Sequence, residues 1–284
     1  MASLPPPPPP PPPPKKRNIL PIVIVLIILI LIPILAVWLL YFGGLEMLGL
    51  TTTVNVDEIL SKSNQALKNI ESYRFSSIIN SVVKTGGVTT SLSLNGNGVV
   101  DLKHKKMKVE YTLQGMKQIS YVIGNTMYIK LYGEWYKTSH PNLWKTEELI
   151  KSSLDLTSKL KKEYKGIEKI NGRDAYKIEI SSEGMSEKEL TEVMLNITRK
   201  IMGYMAMGNI TIKKFSGILW IDKETYFLLK STSHLEMNIN TKQGATDISV
   251  DTEYSVYDFN KPVNIRLPPE AKNAKPLEYA APSL

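Results

Sequence analysis

The stretch Lys-Met-Lys-Val-Glu-Tyr-Thr-Leu at residues 106–113 alternates polar and apolar side chains without a break. Such an alternation is typical of a β-strand that turns one face to a core and the other to water. The same period of two recurs nearby, at residues 88–102, 119–123 and 127–131. Glycine-containing turns separate these segments, at 86–87, 115 and 124–125. Short turns between successive strands predict an antiparallel meander.

The alternation returns in the second half of the chain. Further strands are predicted at residues 164–170, 175–181, 210–221, 226–239 and 246–259, with a short edge strand at 263–266. Asn171-Gly172 joins the first two of these segments and is a strong signal for a hairpin. Gly96-Asn97-Gly98 lies inside an alternating strand, where it predicts a bulge or a kink.

A long apolar run precedes this pattern. Residues 19–42 carry no charged side chain and directly follow the basic cluster Lys15-Lys16-Arg17. A helix of that length crosses a hydrocarbon core of about 30 Å, with the basic residues on the cytoplasmic side. A cleaved signal peptide is the alternative, but its apolar region is usually about 7–15 residues long. We therefore expect a single-pass cell-membrane protein with a cytoplasmic N-terminus and an extracytoplasmic C-terminal domain.

Two segments follow the helical period of 3.6 residues. The first spans residues 56–71, and the second begins at Ser186, which forms a capping box with Glu189. Residues 142–163 are a weaker helical candidate. The predicted fold class is α+β. An N-terminal transmembrane helix precedes a curved antiparallel sheet, an incomplete β-barrel of about 10–11 strands, with 2–3 helices on its concave face.

These features divide the chain into five parts. They are a cytoplasmic polyproline and basic tail (1–18), the transmembrane helix (19–42), a tether (43–54), an extracytoplasmic domain (55–266) and a flexible C-terminal tail (267–284). The ten prolines at 5–14 form a polyproline II helix. That helix is either a stiff spacer or the ligand of a protein partner with a matching groove.

Composition excludes several classes of protein. The chain has no cysteine, which removes disulfides, thiolate metal sites and thiol nucleophiles. The net charge of +8 is interspersed, and no basic stripe carries stacking aromatic residues, so nucleic acid is not a predicted partner. The abundance of Ile, Lys and Glu is typical of thermophiles, with an archaeon among the candidate sources.

The sequence also lacks a recognisable catalytic constellation. His104, His140 and His234 lie in different elements and form no metal-binding pattern. Asp222 and Glu224 are predicted at the solvated tip of a hairpin. We therefore predict a protein that is not an enzyme and needs no cofactor or metal.

Two Asn-Ile-Thr tripeptides are candidate glycosylation sites. Asn209 is predicted to follow the second helix in a loop, whereas Asn196 lies within that helix. Asn209 is therefore the better candidate.

A concentration of methionine points to an apolar ligand. Five of the 11 methionines lie in or beside the second helix. Methionine adapts to variable apolar ligands, although such a stripe also fits ordinary core packing. Incomplete covering of a broad sheet leaves an apolar cavity between sheet and helices. The predicted lining, with the inward parity of the sheet assumed, is Met194, Ile197, Ile201 and Met205 from the helix and Met127, Ile129, Leu131, Tyr176, Ile178 and Leu228 from the sheet.

Several segments, taken in order, resemble the LolA-like lipoprotein-carrier superfamily. They are Ser-Tyr-Arg-Phe at 72–75, GNTMYIKLYGEWYK at 124–137, INGRDAYKI at 170–178, LWIDKETYFLLK at 219–230 and YDFN at 257–260. The resemblance implies an incomplete β-barrel, plugged by helices, that binds acyl chains or whole lipids. It implies no catalytic residue. The predicted transmembrane helix departs from the usual soluble or lipid-anchored form.

The leading functional hypothesis is a membrane-anchored, extracytoplasmic and non-catalytic protein that binds a lipid or another apolar ligand. One alternative is an envelope sensor or interaction protein with the same fold, and another is a structural surface domain. The ligand, the protein partners and the oligomeric state stay open at this point.

Overall fold

Twelve strands form one continuous sheet in the computed structural model, which describes residues 54–113, 115–131, 133–139, 144, 158–202, 209–241 and 244–277. The strands are β1 (Ser72–Thr85), β2 (Val88–Asp101), β3 (Lys106–Leu113), β4 (Met116–Ile123), β5 (Thr126–Leu131), β6 (Glu134–Ser139), β7 (Lys161–Ile170), β8 (Arg173–Ser181), β9 (Asn209–Asp222), β10 (Leu228–Thr241), β11 (Gly244–Tyr257) and β12 (Lys275–Pro276). Their order across the sheet is β12-β6-β5-β4-β3-β2-β1-β11-β10-β9-β8-β7. Only the β12–β6 pair is parallel within these residues.

Most neighbours in the sheet are also neighbours in the chain. The predicted hairpin at Asn171-Gly172 is confirmed, because Ile170 pairs with Arg173 across it. Asn171 and Gly172 have positive φ values of 52° and 83°. Two residues of positive φ make the tight turn that matches the twist of the flanking strands.

At the centre of the sheet, two neighbouring strands are far apart in the chain. β1 pairs with β2 on one side and with β11 on the other, in a register that runs from Arg74 opposite Tyr257 to Thr85 opposite Thr246. The first and last long strands therefore meet in the middle. β2–β6 extend from one side of this pair, and β7–β10 extend from the other.

The two faces of the sheet differ. We call the face that carries Tyr73, Phe75 and Ile79 the inner face, because these side chains belong to the main buried cluster. The opposite face is the outer face. There, Ile265, Ala271 and Ala274 from the segment after β11 pack against Tyr121 and Trp135.

Two α-helices, α1 (Val56–Leu67) and α2 (Glu187–Met202), contribute to the main cluster. The Asn55 carboxamide oxygen caps α1 by accepting hydrogen bonds from the backbone N–H groups of Asp57 and Glu58, at 3.0 and 3.2 Å. The predicted cap of α2 is confirmed, since Ser186 Oγ accepts a hydrogen bond from the Glu189 N–H at 3.2 Å. The buried helical side chains include Ile59, Leu60, Leu67, Leu190, Val193 and Met194.

The predicted fold class is wrong in its inventory of elements. The sheet has twelve strands instead of about 10–11, and the described residues contain two α-helices and one short 3₁₀-helix, Pro269–Asn273. β6 was not predicted because Trp135 and Tyr136 are adjacent aromatic residues, so the alternation is weak. The expected strand at 263–266 is not one. Of the weak helical candidate at 142–163, residues 161–163 belong to β7 and most of the rest lies outside the described residues.

The predicted transmembrane architecture is also corrected. In the part of the chain that the structure describes, no helix combines the length and the apolar character needed to span a bilayer. The predicted span at 19–42, the polyproline tail and the tether up to residue 53 lie outside that part. This finding corrects the prediction of a transmembrane helix and of a single-pass localisation.

Gly96 and Gly98 do not produce the predicted bulge. β2 pairs with β1 and β3 without a register shift. The glycines instead make room for aromatic rings. A Cβ atom on Gly98 would overlap the Phe75 ring, and one on Gly96 would lie 2.8 Å from the ring of Tyr111. Shifts of register occur elsewhere, between β9 and β10 and between β7 and β8.

Candidate functional site

The inner face of β3–β5 carries the buried side chains of Val109 and Val122 and, around them, apolar side chains that are only partly buried. Met127, on β5, lies opposite Val122, which lies opposite Met107 on β3. Directly paired residues share a face, and this row continues to the buried Val100 of the main cluster. Ile129 and Leu131 follow Met127 at alternate positions and therefore share its face. Three of the predicted lining residues thus lie together on the inner face.

The other predicted lining residues lie at a distance from these three. Tyr176 and Leu228 each lie opposite Ile221, and Ile178 lies opposite Leu219, all on the inner face. Ile178 and Leu228 are buried, whereas Tyr176 is partly exposed. β8 is eight strands from β5 in the sheet order, or roughly 38 Å along the sheet at about 4.8 Å per strand.

The helical part of the predicted lining is described only in part. Met194 is buried in the main cluster. Ile197 and Ile201 lie in α2, but their side chains, like Met205 as a whole, are outside the described set. For the sequons, Asn196 is an exposed residue of α2 and Asn209 is the first residue of β9.

A row of polar residues crosses the inner face and was missed by the sequence patterns. Reading directly opposite positions from β10 to β4 gives Ser231, Tyr254, Ser77, Gly96, Tyr111 and Gln118. We call these six residues the polar rung. Ser77 and Ser231 are 3% exposed and Tyr254 is fully buried, so one half of the rung is enclosed. Tyr111 and Gln118 are only half-buried.

Hydrogen bonding in the polar rung is incomplete. Among the residues that the structure describes, Ser77 Oγ and Gln118 Oε1 are buried atoms without a hydrogen-bond partner, as is Ser81 Oγ further along β1. Burial of the phenol group raises the pKa of Tyr111, so its hydroxyl stays protonated and can donate a hydrogen bond. An unsatisfied buried polar group costs about 1–3 kcal/mol. The rung therefore offers donors and acceptors that the chain itself does not use.

The sequence contained a faint signal for this rung. On the inner face of β1 the buried positions are Tyr73, Phe75, Ser77, Ile79 and Ser81, so two serines interrupt an otherwise apolar series. The alignment of Ser77 with Tyr254 and Ser231 depends on the β1–β11 pairing, which has no local signature in the sequence.

The outer face has a shallow depression of about 510 Å³ over β8–β11 and β1. Its lining includes Ile78, Asn80, Glu179, His234, Asp251 and Glu253. His234 lies between two carboxylates: its Nδ1 is 2.7 Å from Asp251 Oδ1, and its Nε2 is 3.0 Å from Glu236 Oε1. Hydrogen bonding to Asp251 and then to Glu236 raises the pKa of His234.

This arrangement predicts a pH-dependent stability. The pKa of His234 is higher in the folded chain than the value of about 6.5 expected for the unfolded one, so its stabilising effect is complete below pH of about 6.5 and is lost as pH rises through the folded pKa. We expect the difference in Tm between the native chain and His234→Gln to be larger at pH about 5.5 than at pH about 8.5. Thermal unfolding across this range checks it. Ser249→Ala, on the same face, should change Tm by an amount that does not depend on pH. If the difference in Tm between His234→Gln and the native chain were also independent of pH, the stabilising role of His234 would be contradicted.

Asp222 and Glu224 do not form a functional carboxylate pair. Glu224 is exposed as predicted, but Asp222 is 1% exposed, so the prediction of a solvated position was wrong for Asp222. Asp222 Oδ1 accepts hydrogen bonds from the backbone N–H of Thr225 at 2.7 Å and of Glu224 at 3.1 Å. Asp222 Oδ2 lies 2.8 Å from Arg173 Nε. The carboxylate thus holds the β9–β10 turn to the start of β8.

Within the described ranges, no cluster of three or more histidine, aspartate or glutamate side chains is arranged to hold a metal ion. The described part of the chain is a single-sheet domain whose inner face combines a core with a polar rung. The chain belongs to a family of unknown function, DUF6612, whose model matches residues 55–276. No curated protein matches the sequence.

Solved structures that match this chain include two mycobacterial proteins, of which the first is a lipoprotein. LppX from Mycobacterium tuberculosis is 16% identical with a TM-score of 0.42, over 74% of this chain and 97% of LppX. LprF from Mycobacterium bovis is 14% identical with a TM-score of 0.39, over 74% of this chain and 95% of LprF.

A third match is a putative outer membrane lipoprotein-sorting protein domain from Vibrio parahaemolyticus, 12% identical with a TM-score of 0.27, over 74% of this chain and 95% of that domain.

Proposed function

We propose that the domain binds a lipid or another long apolar ligand on the inner face of its sheet, without catalysis. The observation that carries the proposal is the partly exposed apolar surface of β3–β5. It is formed by Met107, Leu113, Met127, Ile129 and Leu131, which we call the apolar surface. Apolar side chains that continue a core into solvent are typical of a binding site.

The positions of the helices support this proposal. α2 packs on β9, and α1 approaches β7, so the principal contacts of both helices are with the β7–β10 half of the sheet. The apolar surface belongs to the opposite half, β2–β6. An apolar ligand that covers it would remove water from these side chains at a gain of about 25 cal/mol per Å².

The predicted lining residues divide accordingly. We keep Met127, Ile129 and Leu131 as the proposed contacts of the ligand. Met194, Ile178 and Leu228 are buried core residues, and we do not propose that they contact it. Leu113 adds a contact that the sequence pattern did not single out.

The proposal predicts that a charge on the inner face weakens binding. Leu113→Glu would place a carboxylate on the apolar surface, and covering that charge with an apolar chain is costly. We expect a loss of affinity of about tenfold or more. The full chain is titrated with a fluorescent fatty acid, and native mass spectrometry of the purified protein detects any lipid that purifies with it.

Thr112→Glu is the matched control. Thr112 is the preceding residue of β3, is equally half-buried, and faces outward, so the same charge is added on the opposite face. This variant should keep its affinity. Equal affinities of the two variants, or a native chain that carries no lipid and binds no probe, would refute the proposal.

A further inference from the structure

We infer that the polar rung binds the uncharged polar end, made of hydroxyl or amide groups, of an amphiphilic ligand whose apolar chain lies on β3–β5. This inference rests on the proposed function and specifies the chemical class of the ligand. It starts from two buried atoms without partners, Ser77 Oγ and Gln118 Oε1. A hydroxyl can both donate and accept a hydrogen bond, whereas the Gln118 oxygen can only accept one. The ligand group must therefore contain a donor.

The position of the rung fits this role. Tyr111 and Gln118 lie on β3 and β4, and Tyr111 is the neighbour of Leu113 of the apolar surface on the same face of β3. This end of the rung is half-buried, whereas the end on β10, β11 and β1 is enclosed. A ligand whose chain covers the apolar surface would thus bring its polar end to the open end of the rung, where only the glycine at position 96 separates Tyr111 from Ser77.

Glycine at position 96 links the two ends of the rung. A Cβ atom there would lie 2.6 Å from Ser77 Oγ and 2.8 Å from Cδ1 of Tyr111. The Ser77 hydroxyl and the Tyr111 ring therefore lie side by side above the bare backbone of Gly96. A larger residue would fill this place, so the glycine keeps both groups close together on one row.

The lack of charge near the rung selects a neutral group. The rows on either side of it contain Phe75, Val109 and Ile129 in one direction and Ile79, Leu94 and Leu113 in the other. These rows carry no lysine or arginine on the inner face of β1–β5. A carboxylate or phosphate placed at the rung would be buried without a counter-ion, which is strongly unfavourable. A hydroxyl or amide carries no such penalty.

The test compares three probes that share one alkyl chain: hexadecane, palmitate and 1-palmitoylglycerol. Each is titrated into the full chain by displacement of a fluorescent fatty acid. We expect 1-palmitoylglycerol to bind most tightly. In Ser77→Ala its affinity should fall roughly fivefold, the effect of one net hydrogen bond, while the affinity for hexadecane stays unchanged. Gln118→Leu should cause a loss of the same size.

Ser76→Ala is the control, because Ser76 precedes Ser77 on β1 and faces outward. It should bind all three probes like the native chain. Since Ser77 Oγ has no partner in the ligand-free chain, Ser77→Ala should not lower Tm, so a change in binding cannot be attributed to misfolding.

Two results would overturn the inference. One is an undiminished preference of Ser77→Ala and Gln118→Leu for 1-palmitoylglycerol, which would leave the rung at most a site for ordered water. The other is tighter binding of palmitate than of 1-palmitoylglycerol by the native chain. If none of the three probes binds to the native chain, the proposed function itself fails, and that outcome differs from both.

Discussion

Gly98→Ala is expected to lower the free energy of unfolding by about 3 kcal/mol, at the upper end for an overpacked core. The added methyl group would overlap the ring of Phe75, which is 1% exposed and lies 5.0 Å from the Tyr254 ring, centroid to centroid. Neither partner can easily move. β2 is paired on both sides, and the Phe75 ring is enclosed in the main cluster.

Equilibrium denaturation with urea measures this loss. Asn97→Ala is the matched control, because Asn97 is the preceding residue of β2 and is exposed on the outer face, where a change is expected within about 0.5 kcal/mol. A smaller side chain at position 75 should relieve the clash. The double variant Phe75→Leu/Gly98→Ala should therefore be more stable than the sum of the two single changes predicts. A Gly98→Ala variant as stable as the native chain would show that the ring does not lie over Gly98.

Asp222→Ala is expected to cost about 3 kcal/mol as well, for an electrostatic reason. The change removes a buried carboxylate that accepts four hydrogen bonds at Oδ1, from the Thr225 N–H and hydroxyl, the Glu224 N–H and Arg173 Nη2. It leaves two backbone N–H groups of the turn without an acceptor. It also leaves the Arg173 guanidinium without its partner.

The same urea titration measures this effect. Glu224→Ala removes an exposed carboxylate from the same turn and should change stability by less than about 0.5 kcal/mol. Asp222→Asn keeps the shape but loses the charge, so an intermediate loss is expected. Equal stabilities of the Asp222→Ala and Glu224→Ala variants would contradict a structural role for Asp222.

Local features of the chain were predictable because their physical causes are local. The alternation at 106–113 is seen as β3, Asn171-Gly172 forms the β7–β8 turn, and the Ser186 cap begins α2. Each depends on residues within a few positions of one another. Short strands with weak alternation, such as β6, and the two-residue β12 do not provide such a signal.

Non-local features were not predictable from the same patterns. The pairing of β1 with β11 joins residues more than 150 positions apart, as shown by the 161 positions between Thr85 and Thr246. Within their own strand, Gly96 and Gly98 indicated a bulge. In the structure they instead make room for the rings of Tyr111 on β3 and Phe75 on β1. Asp222 was expected to be exposed to solvent. Its hydrogen-bonding partner Arg173 lies on another hairpin, so the local sequence does not reveal the contact that accompanies its burial.

The same limit applies to the candidate site. Met127, Ile129 and Leu131 were found because they alternate on one strand. The polar rung takes one residue from each of six strands, so no window of sequence contains it. It becomes visible only once the register across the centre of the sheet is known.

The β1–β11 pairing also has a consequence for how the chain folds as it is synthesised. After β1 and β2 have formed a hairpin, the other edge of β1 has no partner until β11 emerges, about 160 residues later. At roughly 5–20 residues per second, this interval lasts about 8–32 s. An unpaired central strand is open to pairing with other chains during that time. The two halves of the sheet cannot be joined early, and completion of the fold waits for the last long strand.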